Sequence, residues 1–191
     1  TSNEVINIVD KVYGVVITPD KDGTTNVDDD KPFNYLNDPA LSQTTAPGNV
    51  AYYHYYLENT GNTPDTYELI SGFNSDQLAP VKVEVYYDAN GNGLVDAGDI
   101  LLATDGTNAT ETPLVAQGEI ISLIVAVHTP TTATDSDKIH TDIDATSTGD
   151  SNVSDAVSNW NLTEFSSGTG ILTATKAANV SSAKPGDTIT Y

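Results

Sequence analysis

One stretch, Ile120–Val127, constrains the fold more than any other part of the chain. All of its residues except Ser122 are apolar. Because alternate residues of a strand point to opposite faces of a sheet, both faces of a strand here would be apolar. A strand of this kind has to be covered on both sides. The run therefore predicts a buried central strand.

Several other short segments alternate apolar and polar residues and have turn-forming residues between them. This alternation is typical of half-buried strands, and a series of short strands separated by turns predicts a β-sandwich. The single Trp of the chain, Trp160, is expected to pack in the core. The predicted strands are Val50–Leu57, which has aromatic side chains on both faces, Tyr67–Ile70, Val81–Tyr87, Ile139–Ala145 and Val153–Phe165.

The composition sets limits on function. The chain has 27 acidic and 7 basic residues, which gives a formal net charge of −20. Nucleic acid is therefore not an expected partner, because binding to phosphates requires clustered Lys and Arg. The absence of cysteine excludes thiol catalysis and thiolate metal sites. Abundant Thr, Val, Asp, Asn, Gly and Tyr, with few helix formers, indicate an all-β extracellular protein.

The sequence contains no recognisable targeting segment. No signal peptide or long apolar run is visible, so no membrane span is expected. Methionine is absent, also at position 1. The chain is therefore expected to begin after processing or after an upstream region.

The stretch Asp88–Asp99 places oxygen-bearing side chains at alternate positions of a twelve-residue loop. Glycine stands at position 6, which is the ligand spacing of an EF-hand calcium loop, where glycine permits a sharp turn. We therefore predict a Ca²⁺ site. The alternative is an Asn-Gly hairpin turn in which the acidic residues have no joint role. The predicted ligands are Asp88, Asn90, Asn92, Leu94 through its backbone carbonyl, Asp96 and Asp99.

This loop resembles those of dockerins and of calcium-binding bacterial surface repeats, which also tolerate Asp at position 12. Asp99 is one methylene shorter than the Glu of an EF-hand, so weaker binding is expected. The residues from Val81 to Tyr87 alternate as in a strand, and Ile100 resumes the apolar pattern directly after the loop. The predicted calcium site therefore joins two strands, and a bound ion would hold the geometry between them.

Two further stretches leave alternatives open. Residues 5–18 are one β-prone run, which either bends at Gly14 into a second sheet or leaves the body of the domain with its first half. Residues 19–47 are a long polar insertion of the kind that is often functional or mobile. A second ion is one interpretation of residues 20–30, although a solvated acidic loop fits the spacing better. The acidic residues concerned are Asp20, Asp22, Asp28 and Asp30.

The order of several motifs resembles the Ig-like repeat of prokaryotic cell-surface proteins, a family recognised by an Asn-Thr-Gly-Asn turn. Here the turn is Asn59-Thr60-Gly61-Asn62, and the resemblance covers most of residues 9–165. It implies an Ig-like antiparallel β-sandwich with an inserted calcium-binding loop, in a secreted, modular and non-enzymatic scaffold of cell-envelope or adhesive proteins. The other matching motifs, in order, are Ala46-Pro47-Gly48-Asn49-Val50, the Asp-x-Asn-Gly-Asn-Gly loop, Gln117-Gly118-Glu119 and His128-Thr129-Pro130.

The two ends of the chain resemble parts of neighbouring repeats. Residues 184–191 echo residues 46–52, so residues 168–191 are interpreted as an incomplete following repeat or donor-strand segment. Residues 9–167 are interpreted as the sandwich, and residues 1–8 as a terminal strand or linker. Because two strands cannot bury a core alone, residues 1–10 or 170–191 are hypothesised to add to the sheet of the next subunit. A fragment of a tandem array explains the same pattern.

Together these features predict a calcium-stabilised structural subunit that self-associates into a filament or lattice on a prokaryotic cell surface. The alternative is a module of a tandem-repeat adhesin that binds a glycan or a surface protein through residues 19–47 or the tyrosines at 52–56. The chain is expected not to be an enzyme, because it lacks a Gly-x-Ser-x-Gly elbow and a phosphate-binding glycine loop. Its three histidines, His54, His128 and His140, lie on different predicted strands without metal-ligand spacing.

Overall fold

A computed structural model describes residues 9–19 and 41–164 of the chain. These residues form ten strands and no helix, so none of the described segments is a helix that could cross a membrane. The predicted terminal units, residues 1–8 and 168–191, lie outside this part of the chain. The strands are β1 Val16–Thr18, β2 Ser42–Thr45, β3 Val50–Glu58, β4 Tyr67–Phe73, β5 Lys82–Tyr87, β6 Ile100–Thr104, β7 Thr107–Asn108, β8 Ile120–His128, β9 Lys138–Ser147 and β10 Ser154–Thr163.

The strands form two sheets that pack face to face. The six-stranded sheet has the order β1-β3-β8-β5-β6-β7, and the four-stranded sheet has the order β2-β10-β9-β4. All pairs are antiparallel except β2 and β10, which are parallel. Two mainly antiparallel sheets that enclose one core form an Ig-like β-sandwich. The predicted fold class is therefore confirmed.

The strand β8 occupies the middle of the six-stranded sheet, between β3 and β5. Leu123 and Val125 belong to the core between the sheets. On the outer face, Ile124 and Ala126 are only 0% and 2% exposed, because side chains of β3 and β5 flank them on both sides. The prediction of a central strand that is buried on both faces is confirmed.

The aromatic strand β3 divides its side chains between the two faces, as the sequence predicts. Tyr53 and Tyr55 point inward and are fully buried, whereas Tyr52 and His54 face outward. The Tyr53 hydroxyl donates to the backbone carbonyl of Trp160 at 2.6 Å, and the burial of this phenol raises its pKa. A buried phenol needs a hydrogen-bond partner, so this bond fixes the spacing between β3 and β10.

Trp160 departs from the expectation that it packs in the core. It lies on the outer face of the four-stranded sheet, where its ring stacks on that of His140 with centroids 4.3 Å apart and an interplanar angle of 2°. The alternation of β10 places Val157, Asn159 and Asn161 inward instead. A one-residue difference in register reverses the face of every side chain in a strand, and the sequence alone did not fix that register.

The β-prone run at residues 5–18 contributes little regular structure to the described sandwich. Of the described residues of this run, 9–18, only Val16–Thr18 pair in a sheet, and residues 9–15 are not in a strand. Val9 and Val12 are 78% and 58% exposed. Residues 5–8 lie outside the described part of the chain, so the two alternatives for this run stay predictions.

The chain enters and leaves the sandwich at opposite ends. At what we call the entry end, Val16 of β1 lies opposite Glu58, the last residue of β3. At the exit end, β3 begins at Val50, and Asn161 near the end of β10 donates a hydrogen bond to the Thr129 hydroxyl at 2.7 Å, just after β8. Since β3 has 9 residues, the two ends are about 30 Å apart at 3.3 Å per residue.

Candidate functional site

The stretch Asp88–Asp99 connects the antiparallel strands β5 and β6. Tyr87, the last residue of β5, lies directly opposite Ile100, the first residue of β6. All of residues 88–99 therefore lie in one loop, which we call the acidic loop. The prediction that this stretch joins two strands is confirmed. A bulge between Val85 and Tyr86 shifts the register of the pair just before the loop.

Asp88, at position 1 of the acidic loop, holds the curl of the backbone. Its side chain is 5% exposed and accepts hydrogen bonds from the backbone N–H groups of Asn92 at 3.2 Å and Gly93 at 2.8 Å. The φ angle of Gly93 is +73°, a conformation that glycine adopts without steric strain. The Asp88 N–H donates to the Ser122 carbonyl at 3.0 Å, so the start of the loop is anchored on β8.

The two asparagines tighten the same turn. The Asn90 side-chain oxygen accepts the N–H of Asn92 at 2.9 Å, and the Asn92 side-chain oxygen accepts the N–H of Leu94 at 2.7 Å. Such bonds to the backbone two residues on are typical of Asn and Asp in turns. The sequence of the loop therefore encodes its own curvature.

Asp96, at position 9, collects the polar groups of the curl. Its Oδ2 accepts hydrogen bonds from the side-chain amides of Asn90 and Asn92, each at 2.9 Å. Its Oδ1 accepts the Gly98 N–H at 2.8 Å. These donors lower the pKa of the Asp96 carboxyl, with the Gly98 N–H as the largest cause, because they favour its ionised form.

Asp99, at position 12, joins the two ends of the acidic loop. Its Oδ1 accepts the N–H of Ala89 at 3.2 Å, and its Oδ2 accepts the N–H of Asp96 at 2.8 Å. The carboxylate at the last position thus contacts the backbone beside the first position. Leu94, at position 7, has a 67% exposed side chain.

The six predicted ligands therefore lie in one curled loop, but their carboxylates are not gathered around a common point. Nowhere in residues 9–19 and 41–164 do three carboxylate or imidazole groups lie close enough to hold a metal ion. The amide nitrogens of Asn90 and Asn92 face Asp96 instead. The donor set still fits a hard cation in kind, since all the ligands are carboxylate, amide or carbonyl oxygens. An ionised carboxylate has about four acceptor sites, so the bonds described leave acceptor capacity on Asp96.

A shallow groove of about 430 Å³ lies where the acidic loop meets the outer face of β3. Tyr52 and His54 form one side of the groove, and Gly93, Leu94 and Val95 form the other. A Cβ atom at Gly93 would lie 3.3 Å from the His54 ring, so the loop rests closely on that histidine. The conformation of the loop therefore determines the shape of the groove.

A second polar turn, Asn59–Asn62, lies at the entry end and is built differently. Asn59 is fully buried. Its side-chain nitrogen donates to the carbonyls of Thr63 at 2.8 Å and Val115 at 2.9 Å, and its side-chain oxygen accepts the Gly61 N–H at 2.9 Å. This asparagine therefore connects the turn to a distant segment of the chain.

The same turn holds the segment that precedes β1. Asn62 accepts the Val12 N–H at 2.8 Å through its side chain, and its amide donates to the Asp10 carbonyl at 2.9 Å. The approach is so close that a Cβ atom at Gly61 would lie 2.5 Å from the Val12 carbonyl oxygen. The sequence identified this turn as a family-like motif, and the structure gives its physical role, which is to hold residues 10–12 against the sandwich.

Two polar clusters were not found from the sequence. Asp65 is 5% exposed, and its carboxylate accepts the N–H groups of Thr66 at 2.9 Å and Gly149 at 3.2 Å, together with the Ser147 hydroxyl. Asp65 and residues 147–149 are far apart in sequence, so only their long-range proximity defines the cluster. It closes the entry end of the four-stranded sheet and contains no group aimed at a ligand.

The second cluster is centred on Glu84, on the outer face of the six-stranded sheet. Its carboxylate oxygens lie 2.9 Å from Lys82 Nζ and 3.0 Å from His128 Nε2. Burial alone would raise the pKa of Glu84, but hydrogen bonds with Lys82, His128 and Tyr86 outweigh it and lower the pKa. The alternation of β5 puts Lys82 and Glu84 on one face, which is the signal that was available in the sequence.

The proposed second ion at residues 20–30 lies outside the described part of the chain.

Comparison with known proteins identifies no family. No family model matches the chain, and no curated protein matches it either. The chain does match solved structures at low identity. A family 123 glycoside hydrolase from Clostridium perfringens is 12% identical with a TM-score of 0.47, and the match covers 80% of this chain but only 27% of the hydrolase.

Two further matches have different functions. AvmM, which catalyses macrocyclization in alchivemycin A biosynthesis, is 14% identical with a TM-score of 0.42, over 80% of this chain and 89% of AvmM. AggA, the major subunit of aggregative adherence fimbriae type I from Escherichia coli, is 9% identical with a TM-score of 0.29, over 85% of this chain and all of AggA. At these identities the likeness concerns the fold alone.

These matches correct one expectation from the sequence. The chain was expected not to be an enzyme, and that expectation is wrong as an exclusion, because the matched structures include a glycoside hydrolase and a macrocyclization catalyst. The physical reason is that a β-sandwich can carry catalytic and structural functions alike, since function depends on the site and not on the fold. A likeness of this degree assigns no reaction to the chain.

Proposed function

We propose that this chain is a structural subunit of an extracellular filament or surface layer of a prokaryotic cell, stabilised by calcium and linked head to tail by strand donation. The observation that carries the proposal is that the described sandwich begins and ends on opposite sides. Residues 9–15 lie outside the sheets at the entry end, where Val9 is 78% exposed, and β10 ends at the opposite end. A contact between unlike ends of two copies repeats without closing, which produces a filament or lattice.

Calcium would be held by the acidic loop. Asp88, Asp96 and Asp99 would supply carboxylate oxygens, Asn90 and Asn92 amide oxygens, and Leu94 its carbonyl. A side-chain rotation of each asparagine would turn its oxygen, in place of its nitrogen, toward Asp96. The ion would supply positive charge among like-charged groups in a chain with a net charge of −20, which relieves their repulsion. Extracellular modules work with affinities of about 10⁻⁴–10⁻³ M, which suits millimolar calcium.

Thermal unfolding with and without calcium tests this role. At a calcium concentration of about 100 Kd, binding to the folded state adds about 2.7 kcal/mol to the free energy of unfolding. For a chain of this size that corresponds to a rise in Tm of about 5–10 °C. Chelation should reverse the rise, and an unchanged Tm in calcium and in chelator contradicts the calcium site.

Variants locate the effect in the acidic loop. Asp88→Ala should remove most of the response to calcium, and Asp96→Asn should weaken it while leaving the exposed loop intact. Asp150→Asn is the matched control, because it removes one charge in another exposed turn, where Asp150 accepts the Asn152 N–H at 3.0 Å. An equal loss of response in the control would show that calcium acts through the overall charge and not through a site.

Removal of terminal segments tests strand donation. Electron microscopy of the full chain, and of chains that lack residues 1–8, residues 168–191 or both, should find polymers only where the donor segment is present. Polymers that persist after both deletions exclude donation. Growth of polymers in calcium and their loss in chelator would show that calcium binding and strand donation act together.

A second candidate function is an adhesin module, favoured by the groove beside Tyr52 and His54. Tyr52 is 43% exposed, and an exposed aromatic ring beside polar groups suits an amphipathic ligand such as a neutral glycan. Binding of the monomer to a glycan array, abolished by Tyr52→Ala and retained in Ile120→Ala, would favour this function. Ile120 is a control of similar exposure, at 38%, outside the groove.

A further inference from the structure

A second groove lies at the exit end, on the side of the sandwich formed by β4, β5 and the turn between β6 and β7. It has a volume of about 300 Å³, and its walls include Phe73, Pro80, Val81 and Val83. Phe73 and Val81 are 47% and 67% exposed. We call it the exit groove.

The backbone explains why this side is open. Asp105 and Gly106 form a tight turn between β6 and β7 with φ angles of +48° and +76°. Asp105 bonds to Val83 through both its N–H, at 3.0 Å, and its carboxylate, at 2.9 Å. β6 therefore stops pairing with β5 at Glu84, and the part of the chain toward Val81 has no neighbour from β6.

The exit groove also lies beside the longest edge strand of the described sandwich. The edges of the two sheets are β1, β7, β2 and β4, with 3, 2, 4 and 7 residues. The start of the β4 edge is covered, because the Thr112 N–H donates to the Tyr67 carbonyl at 3.0 Å. Its end, at residues 71–73, forms part of the exit groove. An added strand needs a free sheet edge and, beside it, pockets for alternate side chains. Among these four edges, the end of β4 is a free edge that also borders a groove.

The size of the groove matches a short apolar strand. A cavity of about 150 Å³ holds one benzene-sized apolar group, so the exit groove has room for about two aliphatic side chains. In the run Val5-Ile6-Asn7-Ile8-Val9, Ile6 and Ile8 stand two residues apart. They would lie on the same face of an extended strand.

Distance decides which copy supplies the strand. Val9 is held at the entry end through its neighbour Asp10, whose carbonyl accepts a hydrogen bond from Asn62 at 2.9 Å. Ile6 is three residues from Val9 and reaches at most about 11 Å from it, whereas the exit end is about 30 Å away along β3. The run therefore cannot reach the groove of its own molecule. Residues 168–191 follow β10 at the exit end, so in a head-to-tail contact they would meet the entry end of the neighbour.

We propose that the exit groove accepts residues 5–9 of a second copy of this chain, with Ile6 and Ile8 against Phe73 and Val81. This inference rests on the proposed strand donation and specifies its donor and its acceptor. The contact pairs an apolar sequence at one end with an apolar groove at the other, which is a heterologous contact that does not close. It also covers the open end of the β4 edge, which is otherwise a place for unwanted pairing.

Disulfide cross-linking of the full chain tests the contact, and the absence of native cysteine makes the result specific. The double variant Ile6→Cys/Val81→Cys should form a ladder of oligomers under oxidation. A mixture of the two single variants should form one additional species, a dimer of unlike variants. The control pair Ile6→Cys/Ile120→Cys puts the second cysteine at the entry end and should form no ladder. A ladder of equal strength in the control, or a ladder from Ile171→Cys/Val81→Cys with none from the first pair, overturns the proposal.

Assembly assays separate this inference from strand donation itself. The donor variant Ile6→Asn/Ile8→Asn and the acceptor variant Val81→Asp should each reduce polymer formation at least tenfold, with the Tm of the monomer unchanged. If deletion of residues 1–8 abolishes polymers while Val81→Asp leaves them intact, donation stands and the exit groove is not the acceptor. If polymers persist without both terminal segments, the proposed function fails as well.

Discussion

The turn at Asn59–Asn62 and the acidic loop at Asp88–Asp99 are both rich in Asn and Gly, and both connect strands, yet they are stabilised in opposite ways. Asn59 is buried and bonds to Val115, 56 residues further along the chain. In the acidic loop, the side chains of Asp88, Asp96 and Asp99 bond only to groups of the loop itself in the contacts described above. The side chains of the first turn bond to distant segments of the protein, and those of the second, which is anchored on β8 through the Asp88 backbone, bond to the loop itself.

The difference teaches which of the two can respond to solution conditions. A turn whose polar groups are buried and paired with distant segments has little to gain from an ion, and it loses much when a partner is removed. Apart from the buried Asp88, the acidic loop has less to lose from a single substitution, and we expect its conformation to depend on charge and on bound cations. The predictions below test this contrast between a fixed turn and a responsive loop.

The largest effect is expected for Asn59→Ala. The substitution leaves two carbonyls and one N–H without their partner, at about 1 kcal/mol each. The free energy of unfolding should fall by about 3 kcal/mol, and Tm by about 6–12 °C. The matched variant Asn90→Ala, in the acidic loop, should change the free energy by less than about 0.5 kcal/mol. Urea unfolding of both variants measures the difference, and equal losses would remove the contrast.

Glycine substitutions should separate crowding from backbone strain. In Gly61→Ala the new methyl group would lie 2.5 Å from the Val12 carbonyl oxygen, so the segment before β1 has to move, at a cost of about 2 kcal/mol. In Gly91→Ala nothing lies within 4 Å, but φ is +67°, and the cost is about 1 kcal/mol of strain. Trypsin cleavage after Lys11 should accelerate in Gly61→Ala only. Equal cleavage in both variants would mean that the turn does not hold the segment.

Hydrogen exchange should distinguish the two regions without any substitution. The N–H groups of Asn92, Gly93 and Leu94 bond to side chains of the acidic loop. Calcium should slow their exchange about tenfold or more, which corresponds to about 1.4 kcal/mol of added local stability. The N–H groups of Gly61 and Asn62 should be unaffected. A uniform change over both regions would contradict a local site.

The smallest effect is expected from pH in the absence of calcium. The pKa of Asp96 is lowered in the folded state, first by the Gly98 N–H and then by Asn90 and Asn92. A lowered pKa contributes stability above the unfolded-state value, about 3.9, and this contribution is lost as the pH falls through the folded-state value. The difference in Tm between the native chain and Asp96→Asn should therefore be present at pH 5–7 and disappear toward pH 2–3. A difference that is independent of pH would argue against these bonds.

The sequence predicted the features that depend on local pattern. The burial of β8 follows from its apolar residues on both faces, and the limits of the acidic loop follow from the alternation that stops at Tyr87 and resumes at Ile100. The curl of the loop was also foreseeable, because Asn and Asp bond to nearby backbone groups. Whether the loop binds calcium stays a prediction.

Features that depend on long-range pairing could not be predicted. The strand β2, with the sequence Ser42-Gln43-Thr44-Thr45, has no apolar alternation and forms because it pairs with β10. Trp160 faces outward because the register of β10 against β9 sets its face. Strand propensity is weak compared with such tertiary contacts, which also explains why residues 9–15 are not a strand despite their composition.

The separation of the entry and exit ends of the described sandwich has a mechanical consequence. Tension applied through Val9 and Glu164 would pull β1 and β10 along their own axes, from opposite ends of the sandwich. The hydrogen bonds of these strands, including the one from the Ile17 N–H to Asp155 at 2.8 Å, would then be loaded in shear and would share the force. In a peeling geometry the same bonds would break one after another. In the proposed filament, a domain connected in this way would resist tension along the filament axis.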